Sequence, residues 1–178
     1  MGGYSAFFHA LLVIWLLWCL IGDLRFRRLP NYLMLAGIVL AVLNIVIAGN
    51  SLIGATAMSV LMAMLLALVL TLPGYVLKLL GAGDVKMLSV IGLMTSLQFM
   101  LLSYAVAGLL AGLFVLYSIL GHRYVPYINL QLAKLGWQMP ATGWLNGKSL
   151  PFGALMAVGG LLTLFLHLTG MMNVVAAT

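Results

Sequence analysis

Asp23 and Asp84 are the only acidic residues among 178. Two carboxylates suffice for a hydrolase if one, ionised, takes a proton from water while the other, protonated, polarises a carbonyl. They stand 61 positions apart, so no local periodicity pairs them and only the packing of distant segments can. At a separation of about 4 Å and an effective dielectric near 20, their repulsion is roughly 4 kcal/mol, equivalent to about three pKa units. Both cannot then be fully ionised at neutral pH, and they share one proton and titrate as a pair. Lys86 and Arg25, close in sequence, are placed to draw those values back toward acid. Singly, each acid has a plainer role. Asp84 follows Gly83 and precedes an apolar run, so it can cap a helix, and Asp23 can pair with Arg25 or Arg27.

Other chemistry is scarce. One cysteine, Cys19, excludes an intramolecular disulfide framework and a Cys-based zinc site. His9, His122 and His167 are too scattered to suggest a metal cluster. Charged residues make up 6% of the chain and hydrophobic residues 65%, which rules out a water-soluble globule. Ten charges leave no basic face for nucleic acid.

The elements that must position the acids are therefore transmembrane helices. Charge-free runs cover Tyr4 to Gly22, Tyr32 to Ala48 and Ser51 to Leu72, the second and third separated by the turn Gly49-Asn50. The first lacks a positive n-region and an A-x-A site, so it reads as a retained span rather than a cleaved signal, and Trp18 before Cys19 argues against a lipoprotein anchor. Met87 to Leu120 carries no charge, yet as one helix it is about 50 Å long, too long for one crossing. It is expected to break near Thr95-Ser96-Leu97-Gln98. Pro151 to Leu168 completes six spans, an all-α polytopic bundle forming a single transmembrane domain over residues 1–178.

Six spans place all eight Lys and Arg on one side, as the positive-inside rule requires. Arg25, Arg27 and Arg28 fall in the first such loop, Lys78 and Lys86 in the second, and Arg123, Lys134 and Lys148 in the third. Both termini are then extracytoplasmic, and both acids lie at the cytoplasmic ends of spans. The segment Gly121 to Ser149, with Tyr124, Tyr127, Trp137 and Trp144, reads as a connector along the interface. An amphipathic helix from Ile128 to Trp137 is expected within it, bounded by Pro126 and Pro140. Gly108 and Gly112 form a G-x-x-x-G expected to pack within the bundle or at a dimer contact.

Gly81-Ala82-Gly83-Asp84-Val85-Lys86 puts two glycines before an acid at a helix start, letting backbones approach and leaving room for an extended peptide. This run resembles the G-x-G-D-x-K signature of type IV prepilin peptidases, the G-x-G-D class of aspartic membrane proteases. Asp23-Leu24-Arg25-Phe26-Arg27-Arg28-Leu29-Pro30-Asn31 is similar to that family's first catalytic stretch, an Asp followed by basic residues and an Ile/Leu-Pro-Asn motif. Pro151-Phe152-Gly153 resembles its Pro-Phe-Gly element, with Ala154 where the family usually has a further Pro.

The resemblance covers nearly the entire chain. It implies an endopeptidase that removes the basic leader of type IV prepilin or pilin-like precursors at the cytoplasmic face of a bacterial inner membrane. Asp23 and Asp84 are then the catalytic pair and water the nucleophile. Gly81 and Gly83 shape the site. Pro30 and Asn31 support the first loop, Pro by starting the next helix and Asn by bonding exposed backbone, while Lys86 either snorkels or tunes the pair. The larger members' cysteine-containing segment is missing. We therefore expect no metal, no organic cofactor and no N-methyltransferase activity, in a minimal form resembling Flp/Tad-type peptidases. Presenilin-like proteases also carry G-x-G-D, but Asp23 follows Gly22 rather than Tyr and no Pro-Ala-Leu motif occurs. The competing reading is a proton-coupled transporter or channel with the two acids as ion sites. Against it, both acids sit at one face and no polar path continues through spans two, three or five. A non-enzymatic subunit of a pilus export machine is a third reading.

Overall fold

The computed structural model describes residues 2–26, 29–78, 80–132 and 151–170, with side chains at 6–26, 29–78, 80–121 and 151–170. Among these residues lie six helices: α1 (Gly2–Phe26), α2 (Asn31–Ala48), α3 (Ala57–Val76), α4 (Ala82–Met94), α5 (Leu97–Leu132) and α6 (Phe152–Leu168). Among the described residues the only extended pairing is an isolated antiparallel bridge between Asn50 and Thr56. The chain divides into two compact units, Met1–Ala107 with Pro151–Thr178, and Gly108–Leu150.

Among the described residues four stretches are long and apolar enough to cross a membrane: Ala6–Phe26, Asn31–Ala48, Ala57–Val76 and Leu97–Gly121. The expectation of six full spans is supported to that extent. α6 is apolar but has 17 residues. The 13 residues of α4 rise only about 20 Å, short of a bilayer core about 30 Å thick.

The break expected near Thr95 is present, because α4 ends at Met94 and α5 starts at Leu97. Thr95 Oγ1 donates back to the Ile91 carbonyl at 2.6 Å. The segment Ser51–Thr56, expected to begin the third span, is instead a loop folded against this break. Its Leu52 N–H donates to the Met94 carbonyl at 3.1 Å, and Leu52 is buried. Asn44 Nδ2 holds the loop's start through the Asn50 carbonyl at 2.8 Å. Non-helical backbone next to a membrane is tolerated where protein satisfies it in this way, and that lets a short helix end inside the first unit.

Other boundaries also differ from expectation. α1 runs past Gly22 to Phe26 and α3 past Leu72 to Val76, with Pro73 inside it. α5 continues beyond Gly121 to Leu132, through Pro126, where a connector was expected. Trp137, Pro140, Trp144, Lys134 and Lys148 lie outside the described residues, as do Arg27, Arg28 and the side chains of Arg123, Tyr124 and Tyr127. A Cβ added at Gly108 or Gly112 meets nothing within 4 Å, so the expected packing on that G-x-x-x-G is not made among the described residues.

In the first unit α4 packs against α3, α2 and α6, and α1 against α6 and α2. Small residues let the backbones close up. A Cβ on Gly92 would come 2.9 Å from the Ala63 carbonyl carbon, and one on Gly159 2.5 Å from the Ser103 carbonyl oxygen. Trp15 Nε1 donates to the Leu33 carbonyl at 2.8 Å, pairing a buried indole N–H that apolar surroundings would otherwise leave costly.

Candidate functional site

The two acids come to the same end of the first unit by opposite routes. Asp23 lies in the last turn of α1, and Asp84 is the third residue of α4. Between them in sequence, α2 and α3 run away from that end and back. Lys78 adopts φ 58° just after α3, and Leu80 folds down on Gly74, where a Cβ would meet its Cδ1 at 2.7 Å. This tight return delivers Gly81 as the residue that precedes α4.

Asp84 Oδ2 accepts from the Gly81 N–H at 2.9 Å, while the Asp84 N–H donates to the Gly81 carbonyl at 3.0 Å. The carboxylate thus closes the first turn of its own helix, the plainer role foreseen for it. Burial pushes the Asp84 carboxyl up from its ordinary 3.8 to about 6; the Gly81 N–H opposes that rise, and the charge of Asp23 adds to it. Asp84 lies outside the four long apolar helices.

Asp23 is 6% exposed, and its Oδ2 accepts from the Ala154 N–H at 2.7 Å. Pro151, before α6, offers no side-chain cap, so a carboxylate from another helix satisfies one of the N–H groups that every helix start leaves unpaired. The positive end of α6 faces that negative charge. Gly153 makes the approach possible, since a Cβ there would lie 3.1 Å from Asp23 Oδ2 and 2.9 Å from Leu29 Cδ1. Phe152 stacks edge-on to Tyr104, ring centroids 6.4 Å apart.

Leu29 connects the parts. Besides meeting Gly153, it fills the space beside Gly83, where a Cβ would come 3.2 Å from its own Cβ. The two glycines of separate motifs therefore contact one leucine, with an acid next in sequence to Gly83 and another facing Gly153.

Pro30 precedes α2 rather than forming its first turn, and Asn31 is the first helical residue. Asn31 does not bond backbone as expected; its Oδ1 accepts from Lys86 Nζ at 3.0 Å, linking the starts of α2 and α4. The hydrogen bond of Lys86 is thus made to Asn31 and not to either acid. Arg25, Lys78 and Lys86, the basic side chains described, are exposed and stand on helix ends or turns at the end that holds the acids. His9 and His167, distant in sequence, meet edge-on with centroids 6.1 Å apart toward the other ends of α1 and α6. Among the described residues no three His, Cys, Asp or Glu gather to hold a metal.

Sequence reasoning foresaw neither the Ala154 N–H nor Leu29. A backbone donor carries no residue-type signal, and Leu29 showed only as the leucine before Pro30-Asn31.

The site so built holds one carboxylate bonded to a helix-start N–H and one carboxyl that gives up its proton near pH 6. Residues 10–116 match the family model described as the Type IV leader peptidase family. No curated protein and no solved structure matches the chain.

Proposed function

The chain belongs to the type IV leader peptidase family, and from that premise we propose that it is an aspartic endopeptidase with Asp23 and Asp84 as its catalytic pair. The observation that carries the reading is their convergence: the only two acids in the chain end up close enough for the charge of one to raise the pKa of the other. A carboxyl raised by burial, with a second acid adding to the rise, is a common feature of sites that handle protons.

In this mechanism Asp84, raised to about 6, enters as the carboxylic acid and Asp23 as the carboxylate. Asp23 takes a proton from water as the water oxygen bonds to the scissile carbonyl carbon, and the Asp84 proton passes to the carbonyl oxygen. The tetrahedral diol then collapses. The C–N bond breaks, the leaving nitrogen receives the proton held by Asp23, and a hydroxyl proton of the diol returns to Asp84 as the new carboxyl group forms. Each turnover consumes one water and restores the pair, without metal or organic cofactor.

The substrate proposed is the basic leader of a type IV prepilin or pilin-like precursor, cut at the cytoplasmic face of a bacterial inner membrane. Supporting that placement, Arg25, Lys78 and Lys86 share the end of the unit that holds the acids, as cytoplasmic loops require. Co-expression of a precursor with Asp23→Asn or Asp84→Asn tests the pair. Each variant is expected to insert normally and leave the precursor at full length; processing at the wild-type rate by either would falsify the two-carboxylate reading.

A further inference from the structure

A cavity of about 710 Å³ opens between α2, α3 and α4, and neither acid is in its lining. At roughly 100° per residue, Lys86, Ser89 and Leu93 point about 140–200° around α4 from Asp84. A peptide whose scissile bond lies at Asp84 is thus separated from this groove by the body of the helix, which argues against the substrate as its occupant.

The groove is amphiphilic along its length. Met34, Leu35, Ile38, Leu68 and Leu93 give it apolar walls, and the hydroxyl of Ser89 is spent on the Val85 carbonyl at 2.8 Å. From Lys86 to Leu93 the wall runs about 10 Å along the helix. At its mouth stand Lys86, Asn31 and Tyr32, all exposed. An ammonium has three N–H donors, and the Asn31 bond at 3.0 Å uses one. The start of α2 adds its positive helix end there, with no side-chain cap from Pro30. The only acid near the mouth in sequence, Asp84, faces the other way.

We propose that the groove is a binding site for an anionic phospholipid, with its phosphate on Lys86 and the start of α2 and an acyl chain between α2 and α4. A cationic mouth above an apolar slot complements that molecule in both charge and polarity. The site is independent of whether the two acids hydrolyse a peptide.

The test uses the full chain in phosphatidylcholine nanodiscs containing a trace of phosphatidylglycerol with a photoactivatable acyl chain. Crosslinked peptides are then mapped by mass spectrometry. Labelling is expected on α2 and α4 around Leu35, Ile38 and Leu93, and at least fivefold above that from the matching phosphatidylcholine probe. Lys86→Gln should lower it about fivefold, Lys86→Arg should retain it, and Leu35→Trp, which fills the slot with Lys86 intact, should lower it as well. Equal labelling by the two probes, or labelling unchanged in both Lys86→Gln and Leu35→Trp, overturns the proposal. Displacement of the lipid by a precursor peptide also overturns it, by assigning the groove to substrate.

Discussion

Asp84→Asn should make the protein more stable while abolishing cleavage. The folded state raises the Asp84 carboxyl from 3.8 to about 6, which corresponds to a preference of roughly 3 kcal/mol for the neutral form. A raised acid binds its proton more tightly folded than unfolded, so its contribution is present below about 3.8, falls as pH rises toward 6, and is absent above. Asn is neutral throughout and still accepts from the Gly81 N–H, whose preference for the charged form is already contained in that net shift. Partial solvent exposure reduces the gain. A net stabilisation of about 1–2 kcal/mol at pH 7.5 remains, or a rise in Tm of about 5 °C. Tryptophan-fluorescence melting in detergent at pH 5 and 7.5 measures it. Wild type should lose Tm relative to the variant between those pH values. A variant less stable than wild type at pH 7.5, or a gap that does not widen with pH, would refute the reasoning. Higher stability with lost activity is expected where a strained charge serves function.

Gly153→Ala places a Cβ against Asp23 Oδ2 and Leu29 Cδ1; cleavage should fall about tenfold for about 1 kcal/mol of stability, read from initial rates beside melting curves. Ala154→Pro deletes the N–H bonded to Asp23 in a helix turn that tolerates proline. Loss of that charge-assisted bond should cost about 1.5–3 kcal/mol and at least tenfold in rate, whereas Ala154→Gly keeps the donor and most of the rate. Gly92→Val drives a side chain into the Ala63 backbone and should destabilise by about 3 kcal/mol, seen as loss of monodisperse protein in detergent.

The sequence was most legible where a residue type carries the physics by itself. Two acids in a nearly uncharged chain, the polar break at Thr95-Ser96, and the glycines Gly83 and Gly153 all pointed to positions that the fold uses. Helix ends were less legible, because tertiary contacts set them. Ser51–Thr56 is apolar enough to read as the start of a span, yet bonds to the end of α4 hold it as a loop. Pro126 looked like a boundary, but α5 continues through it. Lys86 read as either a snorkelling side chain or a tuner of the acids, whereas its ammonium bonds Asn31. Ala154 stood out only as a departure from the Pro of the family it resembles. The structure gives that departure a consequence, since a proline there could not donate to Asp23.

The most direct measurement is incubation of the purified protein with a precursor in water enriched in ¹⁸O, followed by mass analysis of both fragments. One cut is expected, with a solvent oxygen in the new carboxyl group, and an intact precursor with either Asp23→Asn or Asp84→Asn. A cut made by either variant, or a precursor left whole by the wild-type protein, would contradict it.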